Sequence, residues 1–438
     1  MESSNALYQL DGRVPVRQAI PFGLQHVLAM FVSNITPIII LANVCGIEQG
    51  LSASLVQNAM IMAGIGTFIQ LFPLWKIGAK LPIVMGISFT FLSVAIFIGT
   101  TQGLGTLMGA VIVGGIIEGI LGLFAKYWIK FITPIVAASV VTAIGFSLLG
   151  IGANSFAGGV GAEDFGAAHN WIVGGVTLIV CIICQVFGKG FMKSLSILLG
   201  LIVGYILAIC MGMVDFSALK GVGVISLPKI LPFKPEFDLG AILSVVAIFL
   251  VSATETIGDS TALTSTVLNR NITSKELSGS IACDGFISSL SGVLGCTPIT
   301  SFSQNIGLAN LTKVVNRYAI ATGAVIMILA GLFPAFGALL TTVPQAVLGG
   351  CSLMMFGSIL MAGFNMIGKC YDEYSHRTTI IISVALSVGL GFTAAPDMFN
   401  IFPQMVKTIF AENCVAVVFI IALLLDIIIP KNATKVAD

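Results

Sequence analysis

The stretch TPITSFSQNIGLANLT, residues 297–312, is too polar to face lipid, yet it lies among long apolar runs. It holds Thr297, Thr300, Ser301, Ser303, Gln304, Asn305, Gly307 and Asn310. A second short segment, 82–98, is interrupted in the same manner by Gly86, Ser88, Thr90 and Ser93. Unpaired backbone amides are costly in hydrocarbon, so such segments are tolerated at membrane depth only when buried in protein or lining a wet cavity. A pair of them at corresponding positions of two halves points to a midplane substrate site. The alternative is two ordinary short helices packed through small residues.

The surrounding composition makes membrane depth the relevant setting. Of 438 residues 57% are hydrophobic and only 9% charged, against about 25% charged in an ordinary soluble domain, which excludes a soluble enzyme. A crossing needs roughly 20 apolar residues. Windows of that length place helices near 19–44, 54–74, 82–98, 104–124, 131–151, 171–187, 194–214, 239–264, 276–294, 297–312, 318–340, 344–367, 377–395 and 409–429, a predicted fourteen. The first 18 residues are polar without an apolar h-region, so no cleaved signal peptide is expected. The nine cysteines sit mostly alone in apolar runs, with Cys181 and Cys184 the single C-x-x-C spacing, which argues against a disulfide framework or zinc site. The net charge of +1 gives no sign of a nucleic-acid partner.

Basic residues test the count. Arg13 and Arg17, Lys76 and Lys80, Lys126 and Lys130, Lys189 and Lys193, Arg270 and Lys275, Lys313 and Arg317, Lys369 and Arg377, and Lys431 and Lys435 fall in every second connection. The intervening ones hold only Lys220, Lys229, Lys234 and Lys407. A missed helix would destroy this sixteen-to-four sorting, and the positive-inside rule then puts both termini in the cytoplasm. The Asn-x-Thr sequons at Asn271 and Asn432 become cytoplasmic and those at Asn34 and Asn310 intramembrane, so glycosylation is not expected.

Weak echoes recur at an offset near 210 residues. Gly122-Leu123-Phe124 precedes Pro134 as Gly331-Leu332-Phe333 precedes Pro344, and Ser88-Phe89 is matched by Ser301-Phe302. Fourteen helices split into two sevens, and an odd number per half inverts the second copy.

Few ionisable groups lie within the spans, and such groups are expensive and usually functional. Glu255 and Asp259, four apart in the eighth predicted helix, share a face among Ser252, Thr254, Thr256, Ser260 and Thr261. Two carboxylates so close do not both ionise cheaply in a low dielectric, so one is expected to carry a proton, as proton-coupled transport requires. A structural pair bonded to neighbouring helices is the alternative. Asp284, beside Cys283 and Gly285, reads equally as a participant or as a buried helix-to-helix bond. Glu118 and Asp426 read as structural or interfacial. His26, next to Gln25 and two turns before Asn34, is a candidate for shaping the site. GxxxG spacings such as Gly115 to Gly119 allow packing between protomers, leaving room for a homodimer. No phosphate loop, no H-E-x-x-H and no nucleophile with its base is present, so neither an enzyme nor a metal site is expected, and energy is expected from an ion gradient.

At these residues the chain resembles the nucleobase/ascorbate transporter family, the type-2 nucleobase cation symporters that include xanthine and uracil permeases. The signature [Q/E/P]-N-x-G-x-x-x-x-T-[R/K/G] is met by Gln304, Asn305, Gly307, Thr312 and Lys313; Gln25-His26, the E-T-x-G-D element Glu255 to Asp259, and Asp284-Gly285 follow the family in order. The resemblance implies an all-α polytopic protein of fourteen helices in two inverted sevens, with helices three and ten broken by short extended segments. It divides the chain into a cytoplasmic tail 1–18, core 19–127, gate 128–238, core 239–340, gate 341–430 and cytoplasmic tail 431–438. It further implies that Glu255 accepts ring N–H groups of a planar heterocycle, that Gln304 reads a second edge, that Ser88, Phe89, Asn305 and Gly307 complete the contact, and that Asp259, Asp284, His26 and Gln25 support the network and proton coupling. Gln304 in the first signature position favours xanthine or uric acid, whereas Ile306 follows the uracil-type pattern. The implied partners are a nucleobase, a proton and the lipid of the plasma (inner) membrane, with no cofactor and no metal.

Overall fold

The computed structural model describes residues 6–129, 132–220, 222–370, 376–403, 406–407, 410–411 and 413–430; Lys130, Lys431, Lys435, the sequon at Asn432 and the tail 431–438 lie outside them. The main helices in chain order are α1 (Val16–Val44), α2 (Gln49–Leu71), α3 (Leu92–Thr101), α4 (Leu104–Leu123), α5 (Pro134–Phe156), α6 (Ala168–Phe187), α7 (Ser196–Cys210), α8 (Leu239–Thr266), α9 (Ser274–Val293), α10 (Ser303–Thr312), α11 (Arg317–Gly331), α12 (Gln345–Cys370), α13 (His376–Ala394) and α14 (Cys414–Ile428). Two strands, β1 (Met85–Ile87) and β2 (Ile299–Ser301), precede α3 and α10. Among the described residues, eight helices are long and apolar enough to cross a membrane alone, or up to nine if a bent pair counts as one span. Helix length therefore accounts for fewer crossings than the hydropathy windows predict, because α7, α14 and the helical run 89–101 are apolar but short.

Helix starts are fixed by side chains that satisfy the first orphan amides. Asp238 accepts from Ala241 N at 2.8 Å to open α8, and Asn316 and Asn413 do the same for α11 and α14. At α9, Thr273 and Glu276 form a reciprocal capping box, and Glu276 also pairs with Arg270 at 2.5 Å. Residues 6–12 are tied to the start of α11: Asn316 Nδ2 donates to the carbonyls of Ala6, Gln9 and Gly12, and Arg317 pairs with Asp11. The Arg317 hydrogen bond holds the Asp11 carboxyl below its ordinary range.

Two predicted helices differ in form. Segments 82–98 and 297–312 each begin as a strand and become helical only afterwards. Pro82 and Pro298 lack an amide proton, and the chain that follows them pairs across rather than along itself. β1 and β2 are antiparallel, with Met85 opposite Ser301, Gly86 opposite Thr300 and Ile87 opposite Ile299. The predicted span 318–340 is bent by 81° between α11 and the helix Pro334–Thr341, as Pro334 starts a new helix. Its freed carbonyls are used: Gln57 Nε2 donates to Gly331 O at 3.0 Å and Ser226 N to Leu332 O at 3.0 Å.

The heaviest packing falls into two sets. α4 lies on α9 and α8, and α11 on α1 and α2; separately, α12 lies on α5 and α6, and α13 on α14. Glycine sets the closeness within each. A Cβ on Gly285 would stand 2.1 Å from Gly119 N, one on Gly115 2.5 Å from Ser289 N and one on Gly122 2.3 Å from Ala282 N, so the α4–α9 seam admits no larger residue. The Gly115 to Gly119 spacing is thus consumed within the chain rather than offered to a second protomer. In the other set a Cβ on Gly349 would stand 2.1 Å from Phe156 N.

Gly122→Leu is expected to lower the thermal unfolding temperature of detergent-purified protein, by an overpacking cost of at least about 1–3 kcal/mol. Gly175→Leu in α6, with open space beyond its backbone, serves as the control and should leave it unchanged.

Candidate functional site

The strand pair would be untenable at membrane depth if its outer edges were bare, and side chains from three helices close them. Met85 N donates to Thr67 Oγ1 at 2.9 Å, and Ile87 N to Asn34 Oδ1 at 2.8 Å. Across the pair, Ser288 Oγ donates to Ile299 O at 2.9 Å and accepts from Ile299 N at 3.0 Å. Ser88 N to Pro298 O and Phe302 N to Val84 O extend the pairing beyond the strands.

Each strand runs directly into a helix start, which carries partial positive charge. α8 passes alongside with one carboxylate for each. Thr90 Oγ1 donates to Glu255 Oε2 at 2.7 Å at the first break; Ser301 and Ser303 Oγ both donate to Asp259, at 2.7 Å each, at the second. Glu255 and Asp259 are half-buried, whereas Gly258, Ser303, Gln304 and Gly307 are exposed, forming one open polar face between α8 and α10. A Cβ at Gly258 or Gly307 would meet nothing within 4 Å.

The other predicted residues occupy three different settings. Ser88 and Phe89 are buried at the first break, where Ser88 Oγ caps Thr90 N and the Phe89 ring meets Phe356 of α12 edge-on at 5.2 Å. Gln304 reaches back to Ser33 Oγ at 3.5 Å. Asn305 and His26 turn inward: Asn305 Nδ2 lies 3.1 Å from His26 Nδ1 and 2.9 Å from His26 O, so Asn305 clamps α1 to α10, with Gln25 half-buried beside it. Asp284 is fully buried behind α8, taking hydrogen bonds from Thr256 Oγ1 and, at 3.5 Å, from Gln70 Nε2. It is not brought to the open face. Among the described residues no group of three or more His, Cys, Asp or Glu is arranged to hold a metal ion.

The open face therefore offers a carboxylate acceptor and an amide with both donor and acceptor. A family model, Xan_ur_permease, described as a permease family, matches residues 17–398. The chain belongs to that permease family. It is 34% identical over 443 residues to xanthine permease XanQ of Escherichia coli K12, covering 98% of this chain and 94% of the relative. It is 35% identical over 385 residues to uric acid permease PucK of Bacillus subtilis, covering 87% and 89%. Among solved structures, the transmembrane domain of the cyanobacterial bicarbonate transporter BicA superposes with a TM-score of 0.62 at 16% identity, over 92% of this chain and 98% of that one, a likeness of fold alone. Like these relatives, the permease is a multi-pass membrane transporter and not an enzyme.

Thr90, Ser301 and Ser303 stand out in the sequence as polar residues, but nothing in it assigns them the carboxylates they hold. Their positions at the end of a strand or within three residues after it were the available signal. Gln70 was missed because α2 reads as an ordinary apolar span and, besides Ala79 N in the following loop, its partners Ser280 and Asp284 are distant in sequence.

Ser288→Ala is expected to leave both the amide and the carbonyl of Ile299 without their side-chain partner. The unfolding temperature should fall by the equivalent of about 1–3 kcal/mol, and a thermal shift series on the purified permease checks it.

Proposed function

We propose that this permease imports an oxidised purine nucleobase, xanthine or uric acid, together with a proton. The observation that carries the reading is the open face on which Glu255 and Gln304 flank the two strand breaks. Glu255 accepts from ring N–H groups, Gln304 supplies a donor and an acceptor to the adjacent oxo-substituted edge, and Phe89 with the main chain near Ser88 and Gly307 completes the walls. The relatives named for xanthine and uric acid support the choice of purine, as does Gln304 in the first signature position. In this reading the chain crosses fourteen times as two inverted sevens, with both termini cytoplasmic in the plasma (inner) membrane. The core comprises 19–127 and 239–340, the gate 128–238 and 341–430, and movement of one against the other exposes the face alternately. The two packing sets support that division. Proton coupling runs through Asp259 and Asp284.

An anion carrier on the same fold would use the two bare helix starts as its cradle. Glu255 and Asp259 already lie at those starts, so an anion would meet two carboxylates there.

Radiolabelled xanthine uptake into cells without their own purine permeases tests the reading, with xanthine, uric acid, uracil, hypoxanthine and guanine as competitors. Xanthine and uric acid should compete best and a protonophore should abolish uptake; competition by uracil alone contradicts the purine assignment, and indifference to the protonophore contradicts symport. Glu255→Gln replaces a charge-assisted hydrogen bond and is expected to weaken xanthine binding roughly 10–100-fold, measured by calorimetry; unchanged affinity removes Glu255 from the site.

A further inference from the structure

A second buried acid, besides Asp284, takes no part in the open face. Glu118 of α4 is 2% exposed, and both its carboxylate oxygens lack a hydrogen-bond partner. It lies beside a pocket walled by Ile117, Leu121, Trp128, Val246, Phe249 and Ala253, apolar and with no room for a water molecule. Phe249, Ala253 and Thr256 form a stripe of α8 about 100° around the helix from Glu255 and Asp259.

The charged and titratable groups around it come from few elements. α9 brings Asp284, with Cys283 on one side of it and Gly285 on the other, and α9 passes so close that a Cβ on Gly285 would stand 2.7 Å from the Glu118 carbonyl carbon. α8 brings Asp259, one turn from the Thr256 that is bonded to Asp284. α3 has no titratable residue, and Lys126 in the turn after α4 is exposed, its ammonium over the Tyr127 ring. Lys234 and Glu236 pack at Gly105 and Gly109, about 13 Å or more along α4. Among the described residues, no cation is therefore placed to neutralise Glu118. A dry carboxylate without donors, facing a second carboxylate, is far less stable than the neutral acid.

We propose that Glu118 is a second protonation site of this carrier, holding its proton as a neutral carboxylic acid behind α8 and exchanging it with Asp284, so that the pair carries at most one negative charge. Thr256, bonded to Asp284 and adjacent in sequence to Glu255, connects the pair to the open face. The exchange rests on the proton-coupled reading above; the protonation of Glu118 does not.

Infrared spectroscopy of purified protein in lipid at neutral pH, read together with transport, tests this. The wild type should show the carbonyl band of a protonated carboxylic acid without a hydrogen bond. That band should vanish in Glu118→Gln and remain, shifted, in Asp284→Asn. Glu118→Gln keeps the shape of the neutral acid and should bind xanthine within about twofold of wild type, while the pH dependence of uptake in proteoliposomes becomes shallower by the loss of one exchanging group. Absence of the band in the wild type, or its survival in Glu118→Gln, overturns the protonation. Loss of the band with a pH profile superposing on that of the wild type overturns the exchange. The wild-type band and its shift in Asp284→Asn decide the protonation even without a folded Glu118→Gln, and they need no substrate. A protein that carried no xanthine would therefore contradict the transport reading alone.

Discussion

Everything about this site depends on two short lengths of backbone that decline to form helix in the middle of an apolar protein and bond to each other instead. Three residues from each side pair in antiparallel register, and the outward amides that a two-stranded ribbon leaves bare are taken by Thr67, Asn34 and Ser288. Those side chains come from α2, α1 and α9, so the ribbon is held only where the helices of one packing set converge. The close α4–α9 seam, set by Gly115, Gly119, Gly122 and Gly285, fixes the position of α9 and through it Ser288. Packing of small residues and the geometry of the site are one problem here.

Each break creates a helix start in the interior, and α8 answers each with a carboxylate. A carboxylate at a helix start, supported by hydroxyl donors, is less costly than one in plain hydrocarbon. The hydroxyls of Thr90, Ser301 and Ser303 hold Glu255 and Asp259 in place but leave room at their open side. A planar heterocycle with N–H groups fits that incomplete satisfaction, since it supplies the remaining donors without adding charge. Asp284 and Glu118, one layer deeper, have no such access to the open face.

Much of this was legible from residues alone, and the limits have physical causes. The polarity of 82–98 and 297–312 marked the two breaks because lipid tolerates no such segment, and the four-residue spacing of Glu255 and Asp259 put them on one face. The register of the ribbon was not legible, since it depends on which side chains of α1, α2 and α9 reach its edges. Asp284 was visible as an intramembrane acid, but the side of α8 on which it falls is set by how α9 rolls on the glycines of α4. The Gly115 to Gly119 spacing looked available to another protomer because sequence spacing carries no partner. Pro334 announced the 81° bend, which an apolar window across 318–340 averages away.

The central claim is that Glu255 reads the ring of the substrate at the crossing of the two breaks. A structure of the protein with xanthine bound tests it most directly. The account predicts the ring lying between the first turns of α3 and α10, an N–H within hydrogen-bond distance of Glu255 and the amide of Gln304 on the neighbouring edge. Xanthine bound elsewhere, or at this place with Glu255 engaged only by Thr90, would contradict it.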